Sequence, residues 1–146
     1  SLRLEKGYRA WGSDIGPDYS PLEAGLGWAV KLGKDIAFLG REALEAQRTQ
    51  PLKKRLACFS VNDSNVVLLG RETIYRDGER VGWLSSGGWG YTVGQNIGFG
   101  YVRNNNGVNE TLLKSGTYEL EVASERVGCS VYLTPLYDPN GERVRS

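Results

Sequence analysis

The spacing of apolar residues changes near Leu52, and this change most limits what the chain can fold into. Beyond it, apolar residues recur at every second position, as in residues 55–61, which is typical of β-strands with one buried face. The pattern predicts about six short strands with no helix between them. Parallel strands need long crossover connections, so an antiparallel barrel or sandwich is expected.

Two hairpins are predicted within this β region. The Asp-Gly dipeptide at 77–78 separates two strand-like runs and tolerates the positive φ angles of a type I′ turn. In residues 118–122 apolar side chains alternate with polar ones, which places the apolar set on one face. This strand is expected to pair with residues 129–133.

The first 50 residues have a different character. Glycines and prolines divide them into short stretches, as expected for turns. A strand is predicted at residues 25–32, where apolar and small residues partly alternate. Strong helix formers between Gly40 and Arg48 predict one short amphipathic helix, which Pro51 prevents from continuing.

Charge and hydropathy exclude several classes of protein. The chain has 18 Lys and Arg against 17 Asp and Glu, a net charge of +1, and the two signs are interleaved. Because no broad positive field results, nucleic acid is not expected as a partner. No apolar run approaches the ~20 residues of a membrane span, so no membrane association is expected.

The absence of two residue types is equally informative. The chain has no histidine, which removes the usual general base and the commonest zinc ligand, so no catalytic or metal-binding residue is predicted. It has no methionine either, and it is therefore expected to be part of a longer chain. Cys58 and Cys129 lie in strand-like contexts without CxxC spacing, which predicts buried reduced thiols in the cytoplasm or a mitochondrial matrix.

Three groups of residues are candidate sites, each with a plainer alternative. The glycine-rich stretch at 87–94 has the spacing GxGxxxG and no helix-forming run after it, so a bend between strands is favoured over a phosphate loop. Asp14, Asp18 and Glu23 could form a carboxylate pair, but solvated turn residues are favoured. The four tryptophans could stack on a flat ligand, but packing explains most of them equally well.

Three blocks of sequence, in order and at the expected spacing, resemble the end of the folate domain in glycine-cleavage T proteins. They are residues 1–12, 20–26 and 38–44, and the β region continues the resemblance through Gly98 to Val102. The resemblance implies an α+β fold. A short mixed segment, residues 1–50, would end the folate-binding domain, and an antiparallel β-barrel domain of about six strands would follow at residues 51–146.

The stretches at 5–9 and 135–145 look closer to the tails of FAD-dependent sarcosine and dimethylglycine dehydrogenases. In such proteins a flavin domain oxidises an N-methyl amine, and tetrahydrofolate captures the one-carbon unit. The resemblance therefore implies tetrahydrofolate as cofactor, FAD bound outside this chain, and missing N-terminal FAD and folate domains as partners. A glycine-cleavage aminomethyltransferase and a non-catalytic relative, the regulatory subunit of pyruvate dehydrogenase phosphatase, remain alternatives.

Four residues are carried over from the resemblance as folate contacts. Trp28 matches the aromatic residue that T proteins place beside the folate, where it would pack on a ring. Trp11 stands where T proteins often have tyrosine, so a ring is kept and a hydroxyl is lost. Tyr137 and Arg143 lie in the terminal stretch that approaches the folate tail, where an arginine could pair with a glutamate carboxylate.

Overall fold

Six antiparallel strands close into a barrel in the computed structural model, which describes residues 2–145. Around the barrel they follow the order β1, β4, β3, β2, β5, β6, and β6 pairs with β1. The closed barrel confirms the predicted α+β fold and decides between barrel and sandwich. The strands are β1 (Lys54–Val61), β2 (Thr73–Arg76), β3 (Glu79–Gly90), β4 (Gln95–Arg103), β5 (Tyr118–Val122) and β6 (Glu125–Tyr132).

The hairpin predicted at Asp77 and Gly78 is present, whereas residues 118–122 form a hairpin with residues 125–129 rather than with the predicted 129–133. Asp77 and Gly78 join β2 to β3 with φ angles of 51° and 84°, the two positive values that a type I′ turn requires. In the second hairpin, Tyr118 of β5 lies opposite Cys129 of β6. The division of the chain into domains at residue 50 remains a prediction.

In the described residues 2–145, four short helices accompany the barrel: α1 (Leu2–Glu5), α2 (Arg41–Arg48), α3 (Glu110–Lys114) and α4 (Glu142–Arg145). Helix α2 confirms the predicted helix. The expectation of no helix beyond Leu52 was wrong, because α3 and α4 lie there. Each is too short to produce a helical period, and α3 instead begins at a cap, where the Asn109 side chain accepts a hydrogen bond from the Leu112 N–H at 2.8 Å.

The strand predicted at residues 25–32 was also wrong. This stretch contains a 3-10 turn at Gly27–Ala29, and the Leu26 N–H donates to the Pro21 carbonyl at 2.7 Å. Gly25 has a φ of 71°, which ends any extended run. The alternation of apolar and small residues reflects two successive turns rather than a pleated strand.

The barrel interior is a closely packed apolar core. Phe59, Ile74, Leu84 and Leu120 are completely buried there. On β4 the inward position Gly98 makes room for Leu84, because a side-chain carbon at Gly98 would lie 2.5 Å from Leu84 Cδ1. A barrel of six strands has a narrow interior, so small residues on β4 leave room for a large side chain on the neighbouring strand β3.

A second core lies outside the barrel, over β1 and β4. It joins Leu4 of α1 to outward-facing residues such as Leu56, Ile97 and Phe99. Tyr19 stacks on Tyr101, with ring centroids 4.0 Å apart. These two strands are therefore covered on both faces, and the N-terminal segment and the barrel share one continuous structure.

The glycine-rich stretch is half strand and half bend. Residues up to Gly90 end β3, and only residues 91–94 form the bend, so the prediction of a bend holds for half of the stretch. Gly87 packs closely on another segment, because a side-chain carbon there would lie 2.7 Å from the backbone of Leu68. The next element is strand β4, which does not fit a dinucleotide loop.

The two cysteines and the apolar character of the helices were also subjects of prediction. Both cysteines are free; Cys58 is buried, as predicted, whereas Cys129 is only half-buried. Within residues 2–145, none of the helices has the length and apolar character that a membrane crossing requires.

Candidate ligand-binding site

Two clefts open where the N-terminal segment meets the chain that follows β6. The first, here the Trp28 cleft, has a volume of about 530 Å³, and Arg9, Gly25 and Trp28 contribute to its lining. The second, here the Tyr137 cleft, has a volume of about 470 Å³. Both volumes suit a small organic ligand.

Trp28 lies at the Trp28 cleft on the 3-10 turn, and 77% of its surface is exposed. An indole ring this accessible is unusual for the largest apolar side chain, because burying it would remove much apolar surface from water. It is available to stack on a flat ligand.

Tyr137 and Arg143 lie together in the Tyr137 cleft rather than with Trp28. The Arg143 Nη1 donates to the Tyr137 hydroxyl at 3.0 Å, and its guanidinium lies 5.5 Å from the centre of the Tyr137 ring. The structure therefore separates the predicted tail-binding pair from the predicted ring-packing residue.

Trp11 lines neither cleft. It is 74% exposed and forms an isolated bridge with Ile15. The four predicted contacts thus fall on three separate places, and their assignment to folate remains a prediction.

Lys6 lines both clefts and forms an ion pair with Asp138. The Lys6 ammonium lies 2.6 Å from the Asp138 carboxylate, which also accepts hydrogen bonds from the N–H groups of Glu142 and Arg143 in α4. The hydrogen bond from Lys6 is the main reason that the pKa of Asp138 is lowered. This pair ties the chain directly after α1 to the C-terminal segment and positions Tyr137 and Arg143.

Glu5 of α1 contributes to the lining of the Tyr137 cleft. It is 1% exposed, and its carboxylate accepts the Thr92 N–H at 2.6 Å and the Val93 N–H at 3.4 Å. Burial acts to raise the pKa of Glu5, but these hydrogen bonds outweigh it and leave the pKa below its ordinary value. Glu5 is therefore a buried anion that holds the bend at residues 91–94.

Asp14 corrects the prediction of a solvated turn, because it is completely buried. Its carboxylate accepts hydrogen bonds from the Ser85 and Ser86 hydroxyls, both at 2.6 Å, and pairs with Arg3 at 2.7 Å. Two adjacent serines can face one group because β3 has a bulge between Leu84 and Ser86. The other two members of the predicted group behave differently: Asp18 is exposed, and Glu23 lies 3.8 Å from Lys54.

Arg9 is the residue that sequence reasoning missed. It is half-buried, lines the Trp28 cleft, and donates to the Gly7 carbonyl at 2.6 Å and the Ala24 carbonyl at 3.3 Å. Burial lowers its pKa, and the charge of Arg55 lowers it further. Its place in an aromatic run between Tyr8 and Trp11 was the available signal.

These groups can bind a ligand and orient it. The Trp28 cleft offers an aromatic ring, the guanidiniums of Arg9 and Arg145, and an ammonium already paired with a carboxylate. Among residues 2–145 no group of three His, Cys, Asp or Glu side chains is placed to hold a metal ion. The arrangement suits an aromatic ligand that carries an acidic group.

Fold and site together define a barrel domain that closes a ligand cleft against the segment preceding it. Residues 54–138 match the family described as the glycine cleavage T-protein C-terminal barrel domain, and the chain belongs to this family. Residues 1–34 match the GCVT N-terminal domain. These matches confirm the resemblance to T proteins.

Relatives of this chain include much longer proteins. It is 43% identical over 147 residues to human mitochondrial sarcosine dehydrogenase, covering 99% of this chain and 16% of that protein. It is 44% identical over 102 residues to mouse mitochondrial dimethylglycine dehydrogenase, covering 70% of this chain and 12% of the relative. The predicted likeness to these dehydrogenases is confirmed, and the chain spans less than a fifth of their length.

A solved structure shares the fold. The crystal structure of the glycine cleavage system aminomethyltransferase T from Bartonella henselae superposes with a TM-score of 0.76 at 26% identity. The superposition covers 94% of this chain and 37% of that one. The barrel and the N-terminal segment therefore keep their arrangement in an aminomethyltransferase.

Proposed function

We propose that this chain forms one side of a tetrahydrofolate site in an FAD-dependent N-methyl amine dehydrogenase of the sarcosine or dimethylglycine type. In such a protein a flavin domain outside this chain would release a one-carbon unit, and tetrahydrofolate would accept it. The role of this chain would be to hold the folate by its ring and its acidic tail.

The observation that carries this proposal is the exposed ring of Trp28 beside the half-buried Arg9 in one cleft. Folate contains flat rings and a glutamate with two carboxylates, which are the chemical partners of an indole and a guanidinium. The membership of the T-protein family supports a folate-related role. Identity to sarcosine dehydrogenase over nearly the whole chain favours the dehydrogenase form.

Titration of the chain with folinic acid tests this proposal. The four tryptophans give separate indole N–H resonances, and that of Trp28 should shift progressively with ligand. Because the chain supplies only part of the cavity, affinity should be weaker than about 1 µM. The Trp11 resonance reports in the same experiment whether that residue also contacts the ligand.

Trp83 is the matched control. It lies on β3 with the Arg103 guanidinium 4.0 Å from its ring centre, outside the Trp28 cleft. Trp28→Ala should weaken the binding of folinic acid, whereas Trp83→Ala should preserve it. An unchanged Trp28 resonance at saturating ligand, or nanomolar binding, would contradict the proposal.

An aminomethyltransferase is the second candidate, and the shared fold with the Bartonella henselae structure favours it. A chain of Phocaeicola vulgatus named aminomethyltransferase is 39% identical over 103 residues. The mouse pyruvate dehydrogenase phosphatase regulatory subunit, 35% identical over 147 residues, keeps the third alternative open. Sequence preceding Ser1 in the gene distinguishes them, since a dinucleotide-binding domain there supports the dehydrogenase.

Location and partners follow from the same proposal. A dehydrogenase of this type would act in the cytoplasm of a bacterium or in the mitochondrial matrix. The surfaces of the N-terminal segment would then contact the FAD and folate domains of a longer chain. Limited proteolysis of the protein purified from its source, followed by mass spectrometry of the fragment that contains Trp28, tests this.

A further inference from the structure

Two arginine side chains converge on Gly25 without an acidic partner. The Nη2 atoms of Arg9 and Arg55 both lie within 3.6 Å of the point that a side-chain carbon would occupy at Gly25. Both residues are half-buried. Within residues 2–145, neither forms an ion pair with a carboxylate.

The hydrogen bonds of these arginines leave donors available. Arg9 donates through Nε to Ala24 and through Nη1 to Gly7, and Arg55 donates through Nη1 to Leu22, in each case to a backbone carbonyl. A carbonyl is neutral and does not compensate the positive charge. In the described part of the chain, the two Nη2 groups that face Gly25 donate to no acceptor.

Two like charges this close are costly when they are partly removed from water. Burial lowers the pKa of both Arg9 and Arg55, and the charge of Arg55 adds to the effect on Arg9. Asp14 acts on Arg9 and Glu110 on Arg55 in the opposite direction, but neither restores the ordinary pKa. An anion bound between the two guanidiniums would remove this cost.

The point of convergence is open to the Trp28 cleft. Arg9 and Gly25 both line that cleft, and Arg55 lies behind them. Gly25 has a φ of 71° and no side chain, so nothing of its own fills the space in front of the guanidiniums. A ligand in the cleft can therefore reach Arg9 directly.

We propose that Arg9 and Arg55 form a carboxylate-binding site at the Gly25 end of the Trp28 cleft. Arg9 contacts the carboxylate, and Arg55 strengthens the positive field behind it. The identification of this carboxylate as the acidic tail of folate rests on the proposed function. The site would then take the role that the sequence predicted for Arg143, which lies in the other cleft.

Titration with glutarate, a dicarboxylate without a ring, tests the site directly. The Nε–H resonance of Arg9 in the labelled chain should shift and saturate with glutarate, but not with sodium chloride at equal ionic strength. A shift no larger than that with chloride would overturn the proposal. This measurement on the unmodified chain does not depend on whether any variant folds.

Substitutions then locate the binding. Arg55→Gln should weaken glutarate binding about tenfold, the effect of losing roughly 1.4 kcal/mol of interaction, and Arg9→Gln should abolish saturation. Arg48→Gln, on the exposed face of α2, and Arg143→Gln should leave the affinity unchanged. Loss of binding in Arg143→Gln with retention in Arg9→Gln would overturn the proposal in favour of the Tyr137 cleft.

Trp28→Ala separates this proposal from the proposed function. If both hold, the variant binds glutarate as the unmodified chain does and binds folinic acid more weakly, because its glutamate tail still reaches Arg9 whereas its rings have lost Trp28. If only the carboxylate-site proposal is correct, the Arg9 resonance of the unmodified chain shifts with glutarate and the Trp28 resonance does not shift with folinic acid. If only the folate proposal is correct, the Trp28 resonance shifts with folinic acid and the Arg9 resonance does not shift with glutarate.

Discussion

The Asp14 carboxylate and the Ser86 hydroxyl, 72 positions apart in the sequence, form a buried hydrogen bond of 2.6 Å. With Arg3, they hold the N-terminal segment against the outer face of the barrel. Because Lys6, which directly follows α1, lines both clefts, this bond also positions the candidate site.

Removal of the Asp14 carboxylate should destabilise the protein. Asp14→Ala leaves the Ser85 and Ser86 hydroxyls and the Arg3 guanidinium without their shared acceptor, which costs about 2–4 kcal/mol. Urea unfolding measures this as a lower midpoint. Asp18→Ala is the control, because Asp18 lies in the same loop and is exposed; equal effects of the two substitutions would disprove the role of the network.

Acid should weaken the protein through Glu5. Its pKa is lower in the folded state than its ordinary value of 4.5, so its stabilising effect is complete above that value and is lost as the pH falls through the folded pKa. Glu5→Gln should make the free energy of unfolding depend less on pH between about pH 5 and pH 3. Glu42→Gln on the exposed part of α2 should retain the full dependence, and an unchanged slope in Glu5→Gln would contradict the prediction.

The barrel interior should not accept a side chain at Gly98. A methyl group there would lie 2.5 Å from Leu84 Cδ1, so Gly98→Ala should cost about 1–3 kcal/mol through overpacking. Gly128→Ala in β6 is the matched control, since nothing lies within 4 Å of its added carbon. Thermal unfolding compares the two, and a neutral Gly98→Ala would mean that the core is looser than the structure indicates.

Neither cysteine should react readily in the folded protein. Burial raises the pKa of Cys58 and of Cys129 to about 12, so at pH 8 only about one thiol in ten thousand is a thiolate. Iodoacetamide labelling followed by mass spectrometry should show little modification until guanidinium is added, and Cys129, the less buried thiol, should be modified first. Rapid modification of Cys58 under native conditions would refute this.

The β region was predictable because its signals are local. The turn at Asp77 and Gly78 and the alternation from Tyr118 to Val122 each depend on a few neighbouring residues. Helix α3 was missed for the opposite reason: at five residues it is shorter than the window in which a helical period can be recognised. The false strand at 25–32 arose because turns rich in glycine can imitate alternation.

The candidate site was predictable only as a set of residue types. Trp28 was singled out by resemblance, and its exposure agrees with a binding role that remains a prediction. Its separation from Tyr137 and Arg143, and its place beside Arg9, depend on how the segment after β6 folds over α1. No local pattern encodes a contact between Lys6 and Asp138, which are 132 positions apart.

By itself, the sequence indicated the family through resemblance, and the spacing between near neighbours determined the antiparallel β region and the hairpin at Asp77 and Gly78. Only the tertiary structure decided which charges are buried and which residues share a cleft. Asp14 looks like a turn residue until the bulge in β3 brings two hydroxyls to it, and Arg9 and Arg55 become one site only where the chain turns at Gly25. Burial and charge pairing join residues distant in sequence, so their energies are set by the folded chain as a whole.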